Sequence, residues 1–166
     1  FGVDNKEYEM ETLFAVGIKD LITYDVLQKV CMEANVYAKL SPAKRLKVGC
    51  ILVKENRIVS IGYNGTPSGW SNECEYPSKR GALTGNVIEL KTKPEVLHAE
   101  TNAIAKVARS TESAEGTTLY TTHAPCLDCS KLIYQSGISA VYYEKEYRTE
   151  EGIKFLKKSG IPVFKM

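Results

Sequence analysis

The shortages in this chain are its most informative compositional feature. Histidine occurs only twice, at His98 and His123, and tryptophan once. No window approaches the roughly 18 consecutive apolar residues that a membrane-spanning helix requires. The first residues, Phe1-Gly-Val-Asp-Asn-Lys-Glu7, lack the charged-then-apolar order of a secretory signal. The expectation is a soluble, cytoplasmic protein (host cytoplasm if the source is viral) with no membrane partner. Excess charge is missing as well. A formal charge of +2 falls short of the strongly basic face that duplex binding asks for, so no nucleic-acid partner is expected, while a small anionic substrate stays open. Glycine and proline, 12 and 6 residues, are too few for a disordered or collagen-like chain. Disulfide staples are not expected either, because five cysteines is an odd number in a chain long enough to bury a core without them. Thiols kept reduced, for packing or for metal, fit better.

What is present has the pattern of one α/β domain, and 166 residues leave room for one. Residues 1–23 read as an N-terminal extension or appended residues, with no function placed there, and 24–166 as the domain. From Tyr24, apolar residues recur with helical period at Val26, Leu27, Val30, Cys31, Ala34 and Ala38, and Ser41-Pro42 ends that helix. Val48–Val53 and Arg57–Tyr63, joined at Glu55-Asn56, predict a β-hairpin. Residues 64–96, dense in Gly, Pro, Ser and Asn, read as a long insertion loop, which in a compact domain is more often functional than idle. Helices are then expected at about 98–109, 126–136 (stopped by Gly137) and 149–158 (stopped by Gly160), alternating with strands at about 117–122, 138–143 and 161–164. Such alternation implies a mostly parallel sheet covered on both faces, with the hairpin as an antiparallel edge. The fold class is α/β: a three-layer α/β/α arrangement around a five-stranded mixed sheet.

Pro125-Cys126-Leu127-Asp128-Cys129 opens the second inner helix, placing two sulfurs in its first turn on one side. The positive helix end favours thiolates, and two thiolates can grip one zinc ion. A Cys-x-x-Cys alone also suits a redox pair or a structural zinc clip. His98-Ala99-Glu100 opens the other inner helix, and parallel strands bring both helix starts to one sheet edge. His98, Cys126 and Cys129 then make three ligands and leave a fourth position for water, the catalytic pattern. Glu100, two residues on, can face that water without binding the metal. Cys31 and Cys50 read as small core residues; Cys74, in the insertion, is less easily placed.

The His-x-Glu and Pro-Cys-x-x-Cys pair is the signature of zinc nucleoside and nucleobase deaminases. His98-Ala-Glu-Thr-Asn-Ala-Ile104, Thr122-His-Ala-Pro-Cys-Leu-Asp-Cys-Ser-Lys-Leu-Ile133, Val48-Gly49 and Gly62-Tyr-Asn-Gly-Thr-Pro67 together resemble the deoxycytidylate (dCMP) deaminases, from about Lys44 to Phe164. The resemblance implies a cytidine-deaminase-like fold and a zinc-dependent hydrolysis of dCMP to dUMP and ammonia, supplying thymidylate synthesis, with Glu100 as proton shuttle. It implies that the loop of His123 and Ala124 walls the cytosine pocket, with the Ala124 carbonyl accepting from the exocyclic amine and the Ala99 N–H donating to the ring carbonyl. Asn64 matches a sugar contact, although Asn-Gly is also ordinary turn chemistry. Arg45 and Tyr147 are the candidates for gripping the 5′-phosphate and covering the substrate. The resemblance also implies a homo-oligomer, hexamer favoured, activated by dCTP and inhibited by dTTP, with Mg²⁺ accompanying the triphosphate. For that effector site, Gly62, Gly65 and Gly69 are expected to present free backbone N–H groups, and Arg109 matches a position near subunit contacts. Some viral relatives carry a second zinc near the insertion, but two histidines leave little to bind one here. Rivals are deamination of free cytidine, of dCTP or of a tRNA base, and a non-catalytic zinc module with four protein ligands.

Overall fold

The branched residues of Gly49–Lys54 and Arg57–Tyr63 form β1 and β2, an antiparallel pair. Their two-residue turn, Glu55 and Asn56, has positive φ at both positions (50° and 57°), the geometry whose twist suits a tight hairpin. The computed structural model describes residues 24–80 and 87–166; the expected extension at 1–23 lies outside the described residues. Helix α1, Tyr24–Ala38, precedes the hairpin. After β2 come β3 (Glu75–Arg80), β4 (Val87–Thr92), α2 (Ala99–Ala108), β5 (Thr118–His123), α3 (Leu127–Gln135), β6 (Ala140–Lys145), α4 (Glu151–Lys158) and β7 (Val163–Lys165).

The main sheet has the order β2-β1-β5-β6-β7. Pairs β5–β6 and β6–β7 are parallel, whereas β1 is antiparallel to both β2 and β5. The sheet is therefore less parallel than alternation alone suggests. The unit β2–α2–β5 does connect two strands running the same way, but β1 lies between them and opposes each. Helix α1 covers one face, where Cys31 meets Ile51, Tyr120 and Tyr142. Tyr120, Tyr142 and Phe164 stack across three strands with centroids 5.0 and 4.8 Å apart. The other face carries α2, α3 and α4 over a core of Leu52, Ala103, Leu119, Ile133, Val141 and Leu156. Each large side chain buried there contributes about 1.5–3 kcal/mol. That core fixes where the helices start relative to the strand ends.

Residues 64–96 are not simply a loop. Strands β3 and β4 pair antiparallel as a second, two-stranded sheet. Pro77 lowers the strand signal of β3, yet in a two-stranded ribbon every strand is an edge and a missing N–H is tolerated. The hairpin's base is held by Cys74, fully buried against Ala43 and Val96, and by the Lys93 N–H donating to the Cys74 carbonyl at 2.9 Å. Cys74 is thus a packing residue; the metal-type cluster found among the described residues does not include it. Among the described residues, no helix is long and apolar enough to cross a membrane.

Candidate active site

Strands β2, β5 and β6 all run toward one edge of the sheet, and α2 and α3 begin there. His98 is the N-cap of α2 and Cys126 the N-cap of α3, both extended (φ −73°, ψ 157° and φ −70°, ψ 170°), and neither side chain caps its own helix. Both side chains are therefore free for other partners. Cys129 lies in the first turn of α3. His98 Nδ1 is 3.5 Å from Cys126 Sγ and 3.3 Å from Cys129 Sγ, and the three ligand atoms lie within 4.8 Å of one another. A tetrahedral zinc with bonds of about 2.0–2.3 Å spaces its ligands by about 3.5 Å, so these side chains fit the ion as they stand. They supply three ligands, not four.

The electrostatics match. The Cys126 thiol is held well below its usual range, chiefly because it accepts a hydrogen bond from Cys129 and also pairs with His98. Cys129, the donor of that bond and buried beside Glu100, is pushed up correspondingly. His98 is raised by its bond to Cys126. The pair thus favours a thiolate at Cys126, and a divalent ion held by His98, Cys126 and Cys129 would favour the deprotonated form of both cysteines. Two helix N-termini add positive potential at the same point. Thr101 Oγ1 lies 3.6 Å from Cys129 Sγ, a contact that the motif spacing does not signal.

Glu100 is buried at 4% exposure, with Oε2 3.7 Å from Cys129 Sγ. Desolvation pushes its carboxyl up to about 7, against the opposing pull of its own backbone N–H and of His98. A carboxyl poised near neutrality both accepts and returns a proton at little cost.

A cavity of about 310 Å³ opens over the cluster, and all six residues singled out for substrate contact, Arg45, Asn64, Ala99, His123, Ala124 and Tyr147, line it. Ala99 is the first helical residue of α2, so its N–H has no acceptor within the helix. Asn64 Oδ1 accepts from the Val48 N–H and Nδ2 donates to the Leu46 carbonyl, both at 2.8 Å. Its side chain therefore clips the entrance of β1, with one lone pair and one N–H left for another partner. His123 is half-buried with Nδ1 3.1 Å from Thr122 Oγ1, and burial lowers its pKa. Arg148, adjacent to Tyr147, also lines the cavity; its guanidinium sits 6.0 Å from the Tyr147 ring centroid.

The glycines expected to face an effector phosphate are mostly committed elsewhere. Gly62 lies inside β2, paired with Cys50. A Cβ there would meet the Ala99 carbonyl oxygen at 2.0 Å, so glycine is present to let α2 approach the sheet, not to offer an N–H. The Gly65 N–H donates to the Leu97 carbonyl at 3.1 Å. Gly69, with φ 86° and open space around it, is the one of the three that remains available. Arg109 is the C-cap of α2, exposed at the end far from the cavity.

One histidine and two cysteines from two helix starts, with a buried carboxyl beside them and outside the ligand set, define a zinc-dependent deaminase. The comparisons agree with that class. The family of the cytidine and deoxycytidylate deaminase zinc-binding region matches residues 24–145, and the chain belongs to that family. The deoxycytidylate deaminase of Enterobacteria phage T4 is 36% identical over 150 residues, 71% of this chain and 78% of the phage protein. That of Saccharomyces cerevisiae is 40% identical over 131 residues, covering 78% of this chain but 41% of the yeast protein. The crystal structure of dCMP deaminase from cyanophage S-TIM5 in complex with dCMP and dUMP superposes with a TM-score of 0.77 at 42% identity, covering 87% of this chain and 99% of that one.

Proposed function

We propose that this chain hydrolyses dCMP to dUMP and ammonia, in the cytoplasm, supplying dUMP for thymidylate synthesis. The observation that carries the reading is the buried Glu100 carboxyl, pushed up to about 7 and 3.7 Å from a cysteine of the His98–Cys126–Cys129 cluster, at a cavity bordered by Arg45 and Arg148. The likeness to deoxycytidylate deaminases supports the choice of base and sugar. The chemistry a zinc ion supplies at such a site is Lewis acidity, which makes hydroxide available near neutral pH. The protein's own groups do the rest. Glu100 takes a proton from water and delivers it to the ring nitrogen next to the carbon under attack. It then takes the second proton from the hydroxyl added to that carbon and passes it to the departing amine, so that water and dCMP leave as dUMP and ammonia. The Ala99 N–H and the Ala124 carbonyl hold the two edges of the base, Asn64 the sugar, and Arg45 with Tyr147 the phosphate end. The test is ammonia release and the ultraviolet change across cytidine, CMP, deoxycytidine, dCMP, dCTP and adenosine. Strong preference for dCMP is expected; equal rates on deoxycytidine and dCMP contradict the phosphate assignment.

Regulation belongs to the same proposal: activation by dCTP with Mg²⁺, inhibition by dTTP, in a homo-oligomer, hexamer favoured. Its support is the family resemblance together with a second cavity of about 440 Å³, lined by Thr66, Gly69 and Trp70 and, from α2, by Asn102 and Lys106. The same helix brings Ala99 and Glu100 to the first cavity, so one element touches both. A nucleotide in the second cavity acts on the first only by binding two states of the assembly unequally. Rates against dCMP are expected to be sigmoidal alone, hyperbolic with dCTP and depressed by dTTP. Hyperbolic kinetics indifferent to both, from a monomer, remove this part.

A further inference from the structure

The chemistry at Glu100 leaves the insertion hairpin without a role, yet the hairpin meets the rest of the molecule at a telling place. Glu75, first residue of β3, and Thr92, last of β4, are cross-strand partners, and both reach the same neighbour. Glu75 Oε1 accepts the backbone N–H groups of Lys44 at 2.9 Å and of Arg45 at 3.1 Å. Thr92 Oγ1 accepts from Arg45 Nη1 at 3.2 Å. Beneath them, Cys74 packs on Ala43, two residues before Arg45. Arg45 and Thr92 border both the cavity over the metal cluster and a chamber of about 560 Å³ that shares its wall, where Lys91 of β4 and Arg148 add two more cations and Glu89 one carboxylate.

We infer that the hairpin is a clamp that presets Arg45 for the phosphate of a nucleotide substrate, with Glu75 fixing its backbone and Thr92 its guanidinium. The inference rests on the proposed reading of dCMP as substrate. Arg45 is exposed, and an exposed arginine loses rotamer freedom whenever it closes on a ligand; holding it beforehand removes part of that loss. The two partners divide the work in a chemically apt way. The carboxylate, which would compete with a phosphate for the guanidinium, is occupied by two main-chain N–H groups. The guanidinium is met by a neutral hydroxyl that takes one N–H and leaves the remaining donors for an incoming anion. Glu75 and Thr92 are therefore positioning residues, acting through Arg45.

The experiment is steady-state kinetics of the zinc-loaded full chain on dCMP and deoxycytidine, with zinc content as the check on folding. Thr92→Val is expected to lower the selectivity for dCMP over deoxycytidine by about three- to tenfold, the scale of one hydrogen bond. The loss should appear in KM for dCMP, and Thr92→Ser should restore it. Glu75→Ala should lower the same ratio. In an Arg45→Ala background, Thr92→Val should have no further effect on selectivity, and dUMP against deoxyuridine binding by calorimetry should repeat the pattern without turnover. Equal losses on both substrates, or a full effect of Thr92→Val without Arg45, overturn the clamp. Normal, selective turnover of dCMP with an indifferent Thr92→Val overturns the clamp alone, whereas no turnover of dCMP by the unaltered protein overturns the substrate reading and the clamp together.

Discussion

Glu100 is the residue at which structure and chemistry meet most closely. Its carboxyl is buried, outside the ligand cluster, and close enough to serve any atom bound there. Glu100→Gln keeps the shape and removes the acid, so zinc should stay at about one per chain while turnover falls by roughly two to four orders of magnitude, the usual worth of general acid–base help. Loss of zinc along with activity would mean that Glu100 holds the site together. Burial also makes Glu100 a liability in metal-free protein. Its pKa is raised in the folded state, from 4.5 to about 7, so the folded protein binds that proton more tightly than the unfolded chain. The carboxyl therefore costs nothing below the lower value, and an increasing amount as pH rises through the window, reaching roughly 3 kcal/mol above it. In chelator-treated protein, Glu100→Gln should be stabilised relative to the unaltered chain by an amount that grows with pH across this range, as read by urea unfolding. A difference that shrinks with pH would contradict the desolvation account.

At the scale of elements, the placement of α2 is the critical fit. Its first turn carries Glu100 and its N-cap is His98, and β2 holds it at the distance Gly62 permits. In Gly62→Ala the new methyl cannot be absorbed by a flexible neighbour, because what it meets is the Ala99 carbonyl and the backbone N of Ala103. The expected outcome is a loss of about 1–3 kcal/mol or more in denaturant unfolding, together with reduced zinc occupancy, since α2 must move while Cys126 and Cys129 stay on α3. Full zinc content with only lost stability would show that the first turn stays in place. The same position marks the limit of sequence reading. A glycine serves equally as a free N–H or as a gap for a neighbouring backbone, and only the pairing of Gly62 with Cys50 decides between them. The metal ligands were legible because their spacing is local to two helix starts. Glu75 and Thr92 were not, because they come together through the register of a hairpin that bears Pro77 and whose described side chains, at 75–78 and 89–92, are exposed or half-buried and impose no alternation. The helices, each with an apolar stripe, and the main strands, rich in branched residues and covered by helices on both faces of the sheet, were legible to within a residue or two.

For the molecule as a whole, the two faces of the sheet differ in duty: α1 seals one, and the other carries the three helices nearest the chemistry. The candidate ligands His98, Cys126 and Cys129 belong to the helices of that second face. X-ray absorption of the purified protein should show two sulfurs, one nitrogen and one light, exchangeable ligand. Four sulfurs would sink the catalytic assignment. Chelation should lower the melting temperature, because an ion that binds only the folded state adds about 4 kcal/mol when present at a thousand times its Kd.

The insertion hairpin forms a sheet of its own, joined to the domain through its base and not through the ladder of the main sheet. That separation has an evolutionary meaning. Because no ladder joins the ribbon to the main sheet, changes along it are expected to leave strand register, helix placement and zinc ligation untouched. Meanwhile its root stands against Arg45, the residue proposed to meet the substrate's charged end. A lineage can thus retune what the enzyme accepts by rewriting one ribbon while inheriting the catalytic centre unaltered. Exchanging ribbons between relatives should transplant preference without rebuilding chemistry.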